Sequence, residues 1–182
     1  MRLVPYVLCL SLLAIGRAFA NVPFCESDDG QWRAEITKGT LIISKAGPDG
    51  AAFLPMSNRI LDSRKHILSP AASIVYLAPQ EAFLVAPSAA PELWLIALRE
   101  DAGPYYDGFV HSYIGGMEES LASEEGRFAR LRIDLEAPVA ALQTTDDPRA
   151  VEGVRADGTC VRIHIIARRE IGNCADFHKK QE

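Results

Sequence analysis

Short apolar runs punctuated by turn-forming residues dominate the chain from about residue 30 onward. Residues 32–37 and 40–45 flank Lys38-Gly39, a hairpin signal, and Ala46-Gly47-Pro48-Asp49-Gly50 is a turn by composition. Residues 73–78, 82–86 and 93–99 are predicted as strands, separated by Pro79-Gln80-Glu81 and by 87–91. Residues 93–98 contain almost no polar side chain, so both faces of that strand are expected to be covered. A polar segment at 100–126 follows, with 117–125 as its helical candidate. Residues 130–135 then alternate, with Leu131, Ile133 and Leu135 on one face and Arg130, Arg132 and Asp134 on the other. Strands at 139–144, 150–155, 159–167 and 170–174 complete about ten, closely spaced, which predicts a sandwich, barrel or propeller. Helix and strand do not alternate regularly, so a parallel doubly wound sheet is not expected.

The N-terminus has a different character. Met1 and Arg2 precede an apolar run at 3–15, and Ala18-Phe19-Ala20 places small residues where a signal peptidase reads. The run is shorter than the roughly 20 residues that span a bilayer. Residues 1–20 therefore read as a cleavable signal peptide and 21–182 as a single β domain, exported to the periplasm with no membrane span after cleavage. Removing Arg2 and Arg17 from the 19 basic residues leaves 17 against 24 acidic ones, so the net charge of −5 becomes −7. An acidic chain lacks the electrostatic footprint of a nucleic-acid binder.

Cys25, Cys160 and Cys174 would enter an oxidising compartment. A hairpin turning near residue 167 would set Cys160 and Cys174 on facing strands, a geometry that suits a disulfide. The competing arrangement joins Cys25 to one of the late cysteines. The spacing of cysteines and histidines points to no metal site.

Pro91-Glu92-Leu93-Trp94 runs through a strand into Tyr105-Tyr106-Asp107-Gly108-Phe109-Val110-His111-Ser112-Tyr113. With Ser69-Pro70-Ala71 and Val75-Tyr76-Leu77-Ala78-Pro79 before it, this stretch resembles the haem-d1-type β-propellers. That family includes the d1 domain of periplasmic nitrite reductase and its haem-d1 biosynthesis relatives. Residues 130–138, Val154-Arg155-Ala156-Asp157-Gly158 and 165–171 continue the resemblance, which covers roughly 66–176 in the same order. It implies propeller-like blades of short antiparallel strands. Family members close rings of about seven or eight blades, whereas this chain has length for about three, an incomplete ring. The alternative is a compact β-sandwich. The resemblance also implies haem or haem d1 as the cofactor to consider, with Tyr106, Asp107, His111 and Tyr113 near any site. The following Ile114-Gly115-Gly116-Met117-Glu118-Glu119 is acidic for a cofactor bearing carboxylates.

His111 lies between tyrosines in a loop segment, where an imidazole could ligate haem iron or exchange a proton; it could equally bond backbone and order the loop. His164 falls on a half-exposed strand face and His66 in a polar connection, where structural or solvated uses are the commoner ones. Glu118, Glu119, Glu124 and Glu125 read as a solvated charge run, and Trp32 and Trp94 as core anchors. No serine occurs in a nucleophile motif. The expectation is a periplasmic binding or accessory protein, haem-linked and non-catalytic on its own. The alternative is a structural or protein-interaction module that has lost cofactor binding, with self-association or a periplasmic protein partner.

Overall fold

The computed structural model describes residues 24–50, 52–60, 72–87, 89–106, 109–111, 118–120 and 123–174, with the backbone alone at 72, 109–111 and 118–120. The expected leader at 1–20, His66, Asp107 and Tyr113 lie outside the described residues. The strands are β1 (Phe24–Glu26), β2 (Trp32–Thr37), β3 (Thr40–Ala46), β4 (Phe53–Ile60), β5 (Ala72–Leu77), β6 (Ala82–Pro87) and β7 (Glu92–Ala97). Then come β8 (Phe109–His111), β9 (Glu118–Ser120), β10 (Arg130–Asp134), β11 (Ala141–Thr144), β12 (Ala150–Val154), β13 (Cys160–His164) and β14 (Arg169–Asn173).

They form three four-stranded antiparallel sheets, β1-β2-β3-β4, β5-β6-β7-β10 and β11-β12-β13-β14, and a separate β8-β9 pair. Each large sheet is an up-and-down meander, the architecture of a propeller blade. The first strands of the sheets gather together: β5 lies against β1 on one side and β11 on the other. β4, β10 and β14 are consequently the outer strands. The sheets stack in series as blades 1, 2 and 3, and none closes on itself. A two-layer sandwich is thereby replaced by the propeller arc.

Blade 2 carries the core. Because successive side chains point to opposite faces, β6 and β7 supply two different packing surfaces. Phe83, Val85, Trp94 and Ile96 meet Ala34, Ile36, Leu41 and Ile43 of blade 1. Leu84, Leu93, Leu95 and Ile133 meet Val139, Val151, Val161 and Ile163 of blade 3. Every residue of β6 and β7 is buried, as the unbroken apolar run at 93–98 predicts. Gly153 on β12 has a packing reason: a Cβ there would lie 2.8 Å from Val139 Cγ1. A side chain there would displace Val139 and Ile163 from their places in the inner face of blade 3.

Towards the outer strands the contact between blades 1 and 2 turns polar. Trp94 Nε1 donates to Glu92 Oε1 at 2.9 Å, and Arg132 stands 3.7 Å from the other carboxylate oxygen. The guanidinium groups of Arg130 and Arg132 lie 4.9 and 5.5 Å from the Trp94 ring centroid. The polar face of β10 is thus covered by blade 1. Glu92 is almost fully buried, a position a carboxylate occupies only with such partners.

Cys160 and Cys174 form a disulfide with a Cα–Cα distance of 5.5 Å, joining β13 to the end of β14. The turn between these strands is held by Ala167, whose N–H donates to His164 Nδ1 at 3.0 Å. His164 is therefore a turn-capping histidine. Cys25 lies buried as a thiol in the contact between blades 1 and 2, and because Cys160 and Cys174 bond each other, its pairing with a late cysteine is excluded.

One sequence expectation needs correction, and two strands, β1 and β4, were not anticipated. The 117–125 helix is absent from the described residues of that stretch: Glu118–Ser120 pairs with Phe109–His111 as strand, and Glu124 pairs with Tyr105. Backbone groups satisfied across a ladder are not free for a helix. β1 is too short to leave a pattern. β4 is broken by Pro55 and by a bulge opposite Ile43 and Ser44, and its outer position removes the need for alternation.

The disulfide closes a loop across a sequence separation of 14 residues. Replacing both cysteines with serine is expected to lower the unfolding free energy by about 3 kcal/mol on the chain-entropy scale. A urea melt checks this, and an unchanged midpoint would mean that the bridge constrains nothing.

Candidate functional site

A cleft opens between blades 1 and 2 at the end where β1, β3, β5 and β7 finish. It holds about 510 Å3, and its walls include Trp32, Tyr76, Lys45, Arg127, Asp29 and Glu81, with residues 98–101 along one side. Local turns place these groups. Asp29 Oδ1 accepts the Ser27 hydroxyl and the Gln31 N–H, closing the β1–β2 turn. The Ser27 Oγ in turn accepts the Trp32 N–H at 2.9 Å and starts β2 at the cleft wall. Glu81 stands in a left-handed conformation (φ 46°) after the single 3-10 turn Ala78–Gln80, and its N–H caps Ala78 O.

Trp94 is the fully buried core anchor that was expected, while Trp32 is half-buried, packing against the same core cluster with one side and lining the cleft with the other. Lys45 Nζ and the Arg127 guanidinium each lie 5.4 Å from the Trp32 ring centroid, and Phe128 meets it edge-on at 5.8 Å. Arg127 is held by Nε donating to Leu98 O at 3.1 Å and by an ion pair with Glu100 at 2.7 Å. Burial raises the Tyr76 phenol above its ordinary value, and the carboxylates of Asp29, Asp28 and Glu81 raise it further. Its hydroxyl is therefore a protonated donor at neutral pH. The Asp29 carboxyl is lowered by the Ser27 hydroxyl and then by the Gln31 N–H.

A second hollow of about 310 Å3 adjoins the first through Glu100 and Asp101 and reaches Gly103, Glu125 and Gly126. This is the stem of the long connection from β7 to β10. Tyr105 and Glu124 exchange both backbone hydrogen bonds, at 2.8 and 3.0 Å. Gly103 is required at the crossing: its φ is +89°, and a Cβ would lie 2.7 Å from Glu124 O.

Glu124 fastens the stem to both blades. Arg59 of β4 makes a bidentate contact at 3.0 and 2.8 Å, and the Arg130 side chain adds an ion pair at 3.1 Å. The Arg130 N–H donates at 2.9 Å as well. Glu124 is thus a clasp between outer strands, not a solvated charge. Burial acts to raise its pKa, and the bonds from Arg59 and Arg130 outweigh that and hold it below the ordinary range.

Of the residues proposed from sequence, Tyr106 lies on this stem and is exposed. The backbone of His111 pairs with Glu118 in β8-β9. The His111 side chain, Asp107 and Tyr113 lie outside the described residues, so their convergence is not part of this geometry. The cleft around Trp32 and Tyr76 escaped sequence reasoning. Its only local signal is an aromatic residue at the turn end of each of β2 and β5.

The cleft offers carboxylates, cations, a phenol donor and a partly open indole. Such a set binds a polar ligand by hydrogen bonding and stacking; no described nucleophile in it faces a general base.

No family model matches the chain, and no curated protein does. In fold, it is similar to the solved structure of the dihydro-haem d1 dehydrogenase NirN in complex with DHE, with a TM-score of 0.56 at 15% identity. The match covers 82% of this chain and 27% of that one, so this chain spans about a quarter of its length. The partial resemblance to d1-type propellers is thereby established at the level of fold.

A Glu whose pKa is lowered on folding stabilises fully above its unfolded value, here 4.5. That contribution declines below this pH and is gone once the pH has fallen through the depressed folded value. Glu124→Gln is therefore expected to cost about 1 kcal/mol at pH 7, as for a partly exposed ion pair, and little below the folded pKa. Thermal melts across this range check the sign; a deficit that grows on acidification would refute the clasp.

Proposed function

We propose that the protein is an exported binding or accessory module built on a segment of a d1-type propeller, non-catalytic on its own. The observation that carries this reading is the position of the β7–β10 connection. It leaves blade 2 beside an open aromatic and charged cleft, and it bears Tyr106, Asp107, His111 and Tyr113. Export, and with it a periplasmic location, is supported by the leader pattern at 1–20 and by the Cys160–Cys174 disulfide, since cytosolic thiols are kept reduced. The single domain is 21–182.

A haem-linked role, with haem or haem d1 as ligand, follows from the likeness to a d1-type propeller. In that role His111 would be the residue to hold the iron, with Tyr106, Asp107 and Tyr113 near the site. The cleft sets Asp29, Glu81, Glu100 and Asp101 beside Lys45, Arg99 and Arg127, a mixed lining rather than the cationic one that a polyanionic ring calls for. The haem reading therefore rests on the distal part of the connection.

The second reading is a protein-interaction module that has lost the cofactor. It is favoured by apolar side chains standing open on blade 1, Phe24 and Ile60 among them.

Titration with haem and with haem d1 separates the two. A Soret shift in the wild type that His111→Ala abolishes is expected from the first reading. An unchanged spectrum in the wild type would leave only the second, and binding that survives His111→Ala would assign the iron to another ligand.

A further inference from the structure

Blade 3 brings together three metal-binding side chains that the sequence keeps apart. Paired residues of an antiparallel ladder share a face, so Glu152 of β12 points the same way as its partner Arg162 of β13. Cys160, two residues before Arg162, lies on that face as well. Their neighbours Val151, Val161 and Ile163 belong to the core shared with blade 2, which leaves Glu152 and Cys160 on the opposite face. Cys174 follows β14 directly and meets Cys160 from the far side of β13. A carboxylate oxygen of Glu152 and the two sulfurs all lie within 4.8 Å of one another. The cluster is sheltered: the Glu152 side chain is 13% exposed, and Cys174 is buried.

We infer that, once the Cys160–Cys174 bond is reduced, Glu152, Cys160 and Cys174 form a site for a thiophilic divalent cation, Zn2+, and that the disulfide closes this site. Zinc held tetrahedrally by sulfurs at about 2.3 Å and a carboxylate oxygen at about 2.0 Å sets the sulfurs about 3.8 Å apart and the oxygen about 3.5 Å from each. With the S–S bond broken, van der Waals repulsion parts the sulfurs towards that spacing. Cα atoms 5.5 Å apart let both cysteines reach one ion. The fourth tetrahedral position falls to water. Two thiolates select zinc over the hard cations Ca2+ and Mg2+, which take oxygen ligands.

The charges of blade 3 accommodate the ion. Two thiolates and a carboxylate around Zn2+ leave one negative charge. Arg162, on the same face, stands 3.9 Å from Glu152 and faces that charge, and it keeps its second carboxylate, Asp147, at 3.5 Å. A ligating Glu152 is thereby oriented from outside the metal shell, and the guanidinium is not left without a counter-ion.

The chemistry balances with a dithiol as reductant. Two electrons pass from it to the Cys160–Cys174 bond, the S–S bond breaks, the reductant closes to its own disulfide, and its two protons end on the cysteine sulfurs. Zinc then displaces those protons to solvent and forms two Zn–S bonds. Disulfide and metal use the same sulfurs, so the two states exclude each other. In either state β13 is tied to the end of β14.

Zinc titration against a chromophoric chelator tests this on the purified chain, oxidised and after reduction with a trialkylphosphine, which leaves as phosphine oxide and brings no sulfur ligand. The reduced chain is expected to take up one Zn2+, and the oxidised chain none. Glu152→Gln weakens binding roughly tenfold or more, as loss of a ligand costs at least what loss of an outer-shell partner does. Cys160→Ser abolishes it; the reduced wild type lacks the bridge too, so the two are matched in that respect. Glu136→Gln, at an exposed acid outside the cluster, leaves the affinity unchanged. Zinc also raises the thermal midpoint of the reduced chain, because the ion binds the folded form. Absence of uptake by the reduced chain overturns the inference, as does equal binding in the oxidised chain or binding that survives Cys160→Ser. Uptake indifferent to Glu152→Gln, as the thiols of an unfolded chain would give, overturns it also. The haem titration is separate from these outcomes: failure to bind zinc would leave the cofactor reading standing.

Discussion

Blade 2 is packed from both sides, and the rest of the fold hangs from that packing. Neither blade 1 nor blade 3 has a second apolar face with a neighbour among the described residues. Each buries one surface, and in both cases the surface it meets belongs to β6 and β7. Burial of a large apolar side chain is worth about 1.5–3 kcal/mol, so the row Phe83, Leu84, Val85 followed by Leu93, Trp94, Leu95, Ile96 couples the three sheets. The small residues Ala82 and Ala86 of β6 are fully buried in this packing, and Gly153 leaves room for Val139 and Ile163. Loss of order in blade 2 would leave two sheets with exposed inner faces.

The periphery is organised by charge. Near β1, β5 and β11 the interblade contacts are aliphatic; at β4 and β10 they become Arg59, Glu124, Arg130, Arg132 and Glu92. Adjacent sheets radiating from an axis diverge outward, and long side chains fill that wedge better than branched aliphatic ones. An arginine brings both length and a planar cation that stacks on Trp94 while pairing with a carboxylate. The same logic recurs in blade 3, where Arg155 donates to both oxygens of Glu170 at 2.9 and 2.8 Å.

What was legible in the sequence follows from how local each cause is. The β2–β3 hairpin was readable because Lys38-Gly39 must turn: both residues have positive φ, 52° and 76°. The Cys160–Cys174 bridge was readable because both cysteines belong to one hairpin. The two-sided burial of β7 was readable because a strand with no polar position has no solvent face. The illegible features are those set by distant partners. Glu124 looks like one more surface acid until Arg59, 65 residues away, closes on it. Trp32 and Trp94 look alike in sequence; the difference between cleft and core is decided by which end of a blade each occupies. β4 escaped because an outer strand with a bulge needs no hydrophobic period.

The same distinction bears on function. A propeller of this type gathers its chemistry where loops from several blades converge, and three blades supply only part of such a circle. Residues at the mouth of one interblade cleft can hold a ligand without encircling it, which suits reversible binding better than enclosure of a reacting group. Asp29, Glu81, Glu100 and Asp101 share the cleft with Lys45, Arg99 and Arg127, a mixed lining that suits a ligand with both hydrogen-bond donors and acceptors. The polar cleft and the apolar end face of blade 1 therefore lie on one domain as separate surfaces with different chemistry. β2 runs between the two: it begins at Trp32 in the cleft and carries Arg33 and Glu35 on the face turned away from blade 2.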